Sequence, residues 1–275
     1  MSKDVAVVIG VGGMGQAIAR RVGSGRVVVL ADFNRSTLDQ VADELRGAGH
    51  EVHAHLVDVS RRDSVAALAD DAAALGRVTH VAHTAGLSPT QASIEAILAV
   101  DLLGVAIVLD EFARVIAPGG AGVVIASMAG HFSAGQLPAE LGRALAATAT
   151  DELLALPFLG ALPDPGAAYS IAKRANHLRV RQASIAWGER GARINSISPG
   201  VISTPMGQQE LAGESGAQMR GMVEASAAKR LGTPDDIAEA AAFLLDPTRA
   251  GFVSGTDLLV DGGTVAAVVG SGMLG

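Results

Sequence analysis

Short apolar runs alternate with longer stretches of helical period along most of the chain. Residues 5–9, 27–31, 52–57, 79–83 and 122–126 are rich in Val, Ile and Leu with little polar alternation, the pattern of strands buried on both faces. Between them, residues 14–22, 36–46, 63–75 and 94–116 carry apolar positions at helical spacing. The pattern continues with a helix at 168–189, a strand at 193–197, a helix at 234–245 and a strand at 258–260. Repeated strand–helix–strand units imply right-handed crossovers and an α/β fold. The expectation is a doubly wound parallel sheet of about seven strands with helices on both faces. No Pro- or Ser-rich linker divides the chain, so a single domain is expected over residues 1–275.

Residues 131–166 break the alternation. A pure loop of that length is unusual inside a compact domain, so one or two short helices are expected there. Its leucines, among them Leu137, Leu141, Leu145, Leu153 and Leu159, fit an inserted packing element or a wall of a substrate pocket equally well. Residues 205–229 are rich in Gly, Gln, Met and Ala and are a candidate lid. Met206, Met219 and Met222 within it suit either an adaptable apolar pocket or ordinary helix packing.

Composition narrows the function classes. The 275 residues are 49% hydrophobic and 18% charged, enough apolar content for a large core. The formal net charge of −7 argues against a nucleic-acid footprint, which needs a clustered basic face. The chain has no Cys, which excludes disulfides and thiolate metal sites. No apolar run reaches the length of a membrane span, and Met1-Ser2-Lys3-Asp4 leads directly into a strand with no signal peptide. A cytoplasmic protein is expected. The seven histidines show no metal-ligand spacing, and no metal is expected. His131 stands apart because it lies four positions past Ser127, near the expected pocket mouth, with a surface or core role as the competing reading.

The first strand runs into Gly10-Val11-Gly12-Gly13-Met14-Gly15, which satisfies G-x-G-x-x-G at a strand–helix junction. The first glycine permits the tight turn, the second lets backbone approach a pyrophosphate, and the third lets helix pack on strand. The helix N-terminus then offers free N–H groups to the phosphates. This makes the sheet Rossmann-type and implies a dinucleotide. Asp32, followed by Phe33, ends the second strand, where an acid would accept hydrogen bonds from the adenine-ribose hydroxyls and repel a 2′-phosphate. NAD is therefore favoured over NADP, although Arg35 lies close enough to meet a phosphate, and Asp32 could instead cap a helix. Asp58, with Val59, follows the third strand and could reach the adenine or serve as the N-cap of the next helix.

The only tyrosine lies in Tyr169-Ser170-Ile171-Ala172-Lys173. On a helix, positions i and i+4 share a face. A cation beside a phenol favours phenolate, lowering its pKa from about 10 toward the range useful for general acid–base work. Ser127 follows the fifth strand, where its hydroxyl would face the carboxyl edge of the sheet or cap the strand end.

With these residues the chain resembles the short-chain dehydrogenase/reductase family over almost its whole length. The resemblance rests on the glycine turn, Asp32, the Ala85-Gly86 pair, Ser127, Tyr169 with Lys173, Pro199-Gly200, Thr204, the Arg230 to Ile237 segment and the terminal Leu258-Leu259-Val260-Asp261-Gly262-Gly263. It implies that Tyr169 exchanges the proton with the substrate oxygen, Ser127 holds that oxygen, and Lys173 binds the nicotinamide ribose and lowers the tyrosine pKa. Thr204 and the backbone near Val201-Ile202 would hold the carboxamide. The implied reaction is hydride transfer between NAD(H) and a secondary alcohol or ketone. The alternative is a catalytically degraded NAD-binding sensor on the same fold. The family is usually oligomeric, through paired long helices and through the last strand, which leaves a homo-dimer or homo-tetramer here.

Four departures from the family pattern stand out. Ile9 replaces the usual Thr and the glycine turn is one residue shorter. His83-Thr84-Ala85-Gly86 lacks the usual Asn. Asp101, in Val100-Asp101-Leu102-Leu103-Gly104, occupies the place of the catalytic Asn that, in the family, kinks the helix and positions a water. An Asp there brings a charge or a raised pKa. Finally, Ser127 and Tyr169 are unusually far apart, and the insertion resembles that of bacterial 3α-hydroxysteroid dehydrogenase/carbonyl reductases, which hints at a bulky apolar substrate.

Overall fold

The computed structural model describes residues 2–271. In chain order it contains β1 (Asp4–Ile9), α1 (Gly13–Val22), β2 (Val27–Asp32), α2 (Arg35–Gly47), β3 (Glu51–Leu56), α3 (Arg62–Leu75) and β4 (Arg77–His83). There follow α4 (Ile94–Ile97), a π-helical segment (Leu98–Gly104), α5 (Val105–Val115), β5 (Ile116–Ile125), α6 (Ala129–Phe132) and α7 (Ala139–Ala147). The remainder is α8 (Pro165–Glu189), β6 (Arg193–Pro199), α9 (Pro205–Ala212), α10 (Gly216–Ala225), α11 (Pro234–Leu245), β7 (Asp257–Val260) and α12 (Thr264–Gly270). Two 3-10 turns, Thr150–Ala155 and Pro157–Ala161, lie between α7 and α8.

The seven strands form one sheet in the order β3-β2-β1-β4-β5-β6-β7, every pair parallel. This is the Rossmann-type architecture expected from the alternation. Strand side chains alternate between two cores. Val5, Val7 and Ile9 of β1 pack with α3, α5 and α8, whereas Ala6 and Val8 pack with α1, α2 and α11. Trp187 of α8 fills the first core and donates its indole N–H to Leu109 O at 3.1 Å. It fits because position 122 on β5 has no side chain, since a Cβ there would lie 2.7 Å from the indole. Helix starts are set locally. Asn34 accepts from Thr37 N at the start of α2, Asp164 accepts from Ala167 N at α8, and Thr233 with Asp236 forms a capping box at α11.

Three expectations change. The helix foreseen over 94–116 is broken by the π-helical turn at 98–104, which bends the chain and turns Asp101 inward, fully buried. Its last residue, Ile116, instead opens β5, which runs longer than foreseen. A helix at 264–270, unmarked by the sequence pattern, follows β7.

The insertion is a packing element. Leu145, Leu153 and Leu159 are buried against Ile97, Leu98, Leu102 and Ala106 on one side and Ala168, Ala172 and Ala175 of α8 on the other. Arg179 of α8 fastens it by donating to the carbonyls of Leu145 and Thr148, both at 3.0 Å, and to Thr150 Oγ1 at 3.1 Å. The insertion thereby covers the first half of α8, whereas Ile185 farther along the helix stays exposed.

Two histidines of β4 are buried and held neutral. Burial lowers His80 to about 4 and, with the Lys173 charge adding to it, His83 to about 3. The unfolded chain binds these protons near the ordinary His pKa of about 6.5, so it holds more protons than the native state between the two values. Stability should therefore fall as pH drops from 7 to 5, by about 1–2 kcal/mol per histidine. Urea melts across this range, with His80→Phe as a variant whose pH slope is smaller, check this. A pH-independent midpoint would contradict it.

Candidate active site

The carboxyl edges of β1 and β4 lie side by side at the centre of the sheet, where the connections leave toward opposite faces and open a crevice. At the end of β1, Gly10 has φ +86°, and a Cβ on it would lie 2.4 Å from Ala85 N. A Cβ on Gly15 would lie 1.9 Å from Gly10 O, so helix α1 can approach the turn only through glycine. A Cβ on Gly12, by contrast, would meet no atom within 4 Å. Crowded first and third glycines with an open second one describe a turn that keeps room for a group against its backbone. Helix α1 has no side-chain cap, so its first-turn N–H groups are left for a ligand.

Asp32 does not cap α2, since Asn34 does. Its carboxylate ties the turn to β2, accepting Val11 N on one oxygen and Asn34 N on the other, both at 2.8 Å. Arg35 turns along its own helix toward Asp39, at 3.7 Å. Asp58 does not cap α3, whose N-cap is Arg61; it closes a local turn by accepting Ser60 N at 3.0 Å.

A cavity of about 730 Å³ runs along this edge. Gly10, Gly12, Gly13, Met14, Gly15, Asp32, Phe33, Asp58, Val59, Ala85, Gly86, Asp101, Tyr169, Lys173 and Thr204 all line it. A second cavity, about 640 Å³, is lined by Ser127, Tyr169, Pro199, Gly200, Val201, Ile202 and Thr204. Met206, Met219 and Met222 border it too, so these methionines face the cavity. The two cavities share Met14, Ala126, Tyr169, Thr204 and Met206. Every residue expected from the sequence to serve catalysis or cofactor binding thus borders one or both. The insertion contributes little beyond Phe132 and Gly166 at its ends.

The floor of the junction is ionic. Lys173 Nζ lies 2.8 Å from Asp101 Oδ1, with 5% and 0% of the two side chains exposed. The other Asp101 oxygen accepts Leu87 N at 2.9 Å, and the ammonium reaches Ile125 O at 3.4 Å. Gly86 permits this, since a Cβ there would sit 2.6 Å from Asp101 Oδ1. Lys173 Nζ is 5.3 Å from the Tyr169 ring centre, so the i,i+4 pair shares a face as expected. The electrostatic expectation for the phenol needs correcting. Burial raises the Tyr169 pKa above 10; Lys173 opposes that rise, Asp101 adds to it, and the Ser127 hydroxyl lowers it. Burial would lower Lys173, but Asp101 and then Tyr169 more than compensate, so the ammonium is raised above its ordinary value. Asp101 therefore holds the lysine charged while offsetting its field at the phenol.

Sequence reasoning missed several neighbours. Thr84 donates its hydroxyl to Gly10 O at 2.6 Å and braces the glycine turn. Glu210 of α9 accepts from Ser88 Oγ at the rim of the second cavity. Neither carries a motif, because each acts through a contact distant in sequence. His131 lines neither cavity; its imidazole turns toward Asp257 instead.

Comparison with known proteins gives a consistent result. Residues 4–139 match a family model described as short chain dehydrogenase, and residues 154–265 match one described as enoyl-(acyl carrier protein) reductase. The short-chain dehydrogenase/reductase Bsc3 of Alternaria brassicicola is 42% identical over 267 residues, 97% of each chain. A 3-alpha-hydroxysteroid dehydrogenase/carbonyl reductase of Comamonas testosteroni is 30% identical over 82% of this chain and 90% of its own length. A solved 7α-hydroxysteroid dehydrogenase, complexed with NADH and 7-oxo glycochenodeoxycholic acid, superposes with a TM-score of 0.73 at 26% identity, covering 94% of this chain and 93% of that one. Among the described residues no helix is long and apolar enough to cross a membrane.

The Asp101–Lys173 pair predicts a stability effect. Lys173→Met leaves a buried carboxylate without its cation, and removing one partner of such a pair typically costs about 3–5 kcal/mol. Adding Asp101→Leu should recover part of the loss. Urea denaturation of both variants checks this, and a loss below about 1 kcal/mol for Lys173→Met would contradict the ionic floor.

Proposed function

The chain belongs to the short-chain dehydrogenase/reductase family, and from that membership we propose that it is an NAD-dependent oxidoreductase acting on a secondary alcohol or ketone with a bulky apolar frame. The observation that carries the reading is the position of Tyr169, whose phenol borders both the glycine-turn cavity and the methionine-lined one.

The residues present fit a dinucleotide. The open space at Gly12 and the uncapped start of α1 suit a pyrophosphate. Asp32 keeps acceptor capacity on both oxygens for ribose hydroxyls and would repel a 2′-phosphate, while Arg35 is engaged with Asp39; both features favour NAD over NADP. When bound, the nicotinamide supplies the hydride acceptor or donor. Tyr169 takes the substrate hydroxyl proton in oxidation and returns it in reduction. Ser127 donates a hydrogen bond to the same oxygen and fixes its distance from the phenol. Lys173, anchored by Asp101, contributes positive charge beneath the phenol and a donor toward the nicotinamide ribose. Thr204 Oγ1 accepts Gly207 N at 3.0 Å, which frees its hydroxyl proton for the carboxamide. The backbone near Val201-Ile202 completes that end of the site.

The substrate reading rests on the second cavity, where Met206, Met219, Met222, Phe132 and Val268 present an apolar wall large enough for a multi-ring compound. Helices α9 and α10 form its outer side and would close over a bound substrate as a lid. Because the insertion covers part of the long-helix face, the edge at β7 is the less obstructed of the two pairing surfaces the family uses, which favours a homo-dimer over a homo-tetramer.

The test is NADH formation from NAD⁺ across a panel of secondary alcohols that includes hydroxysteroids, with NADP⁺ and Tyr169→Phe in parallel. Turnover with NAD⁺ should fall by at least about 100-fold in Tyr169→Phe while NADH affinity stays within a few-fold. Asp32→Ala should weaken NAD⁺ binding and narrow the preference over NADP⁺. Equal turnover of wild type and Tyr169→Phe would overturn the reading.

A further inference from the structure

A second cluster of chemically capable side chains lies outside both cavities. His131 of α6, His177 of α8 and Asp257, the first residue of β7, converge from three elements. His131 Nε2 is 2.7 Å from Asp257 Oδ2, and His177 Nε2 is 3.5 Å from Asp257 Oδ1. The two imidazole centres are 4.8 Å apart, and the three candidate donor atoms all lie within 4.8 Å of one another. Two imidazoles thus aim the same nitrogen at one carboxylate.

The surroundings favour a cation. Ser196 and Ser198 of β6 each direct a hydroxyl at Asp257 Oδ1, at 2.5 and 3.0 Å, which orients the carboxylate from behind. Ser198 Oγ also lies 2.8 Å from His177 Nε2. Arg174, also on α8, forms no ion pair with Asp257 among the described residues, so the partners of the carboxylate are the two serine hydroxyls and the two imidazoles. The His131 side chain is 28% exposed, which provides an entry path and room for a water as fourth ligand.

We propose that His131 Nε2, His177 Nε2 and the Asp257 carboxylate form a binding site for one divalent transition-metal ion, of which Zn²⁺ is the best chemical match. Two imidazoles, one carboxylate and a water are a common Zn²⁺ donor set, with ligand distances of about 2.0–2.2 Å. Donor atoms around a tetrahedral ion are then separated by about 3.3–3.5 Å. The His177 contact already has that separation. The His131 contact must open by less than 1 Å, a movement open to a half-buried side chain, and the ion takes the place of the proton now lying along it. The two serines act as outer-shell partners.

The ion would staple α6 and α8 to β7. Gly130 of α6 packs directly on α8, since a Cβ there would lie 2.7 Å from His177 Cε1 and 2.9 Å from the Lys173 backbone. Met128, Ala129 and Phe132, beside it, border the methionine-lined cavity. Metal occupancy would thus stiffen one wall of that cavity. The site stands independently of the proposed reaction.

The experiment titrates full-length, metal-stripped protein with Co²⁺ at pH 7.5. The expected result is a tetrahedral Co²⁺ absorption band saturating at one equivalent, displaced by Zn²⁺, with a rise in melting temperature. Paramagnetically shifted imidazole N–H resonances from two histidines should accompany it. His131→Ala, at the most exposed ligand, should weaken binding by more than about 10-fold, and Ser198→Ala by about 10–100-fold. His53→Ala, on exposed β3, serves as control and should leave binding unchanged. Absence of a saturable band in the wild type would overturn the proposal, as would a band that survives His131→Ala and Asp257→Asn or disappears in His53→Ala. The wild-type spectrum keeps the test decisive if a variant fails to fold.

Discussion

An ammonium and a carboxylate meeting at 2.8 Å in near-complete isolation from water organise the centre of this molecule. Neither Lys173 nor Asp101 is tolerable alone at that depth, because an unpaired buried charge is strongly unfavourable. The pair can form only if α8 carries the lysine inward, the π-helical turn carries the aspartate inward, and position 86 has no side chain between them. Those three conditions fix how α8 and the α4–α5 segment meet the carboxyl edge of β4 and β5. The crevice above the pair follows from them, with Tyr169 over the lysine and the glycine turn opposite.

The same pair governs the chemistry. A lysine beside a tyrosine, read in isolation, suggests an activated phenol. Here burial and the Asp101 charge push the phenol the other way, and Lys173 and Ser127 only moderate the rise. The site is therefore poised toward a protonated tyrosine until a ligand reshapes its surroundings.

Much of this was legible in the residues themselves. Runs such as Val5–Ile9 can be read as strands because both faces are buried and no polar alternation interrupts them. The glycine turn is legible because each glycine answers a steric demand that no other residue meets. The π turn does not show in the periodicity, which stays helical through residues 98–104; its only signal is the resemblance, whose Asn at the place of Asp101 kinks the helix. The insertion's role was equally hidden, because leucines on a short helix look alike whether they face a ligand or α8. The His131, His177 and Asp257 cluster could not be seen from spacing at all. Its members sit on three elements, and only the folding of β7 beside β6 brings the carboxylate to the two imidazoles. Histidine spacing along the chain bears only on ligands drawn from one element and says nothing of a cluster assembled from three.

The most direct test of the central claim is the pH dependence of alcohol oxidation by Asp101→Asn against wild type, measured with the best substrate found. If the carboxylate offsets the lysine at the phenol, removing its charge should move the rising limb of the kcat profile to lower pH by about 1 unit. An unchanged profile, or a limb moved to higher pH, would mean that Asp101 does not act on Tyr169 through its charge, and the account built on the Asp101–Lys173 pair would be wrong.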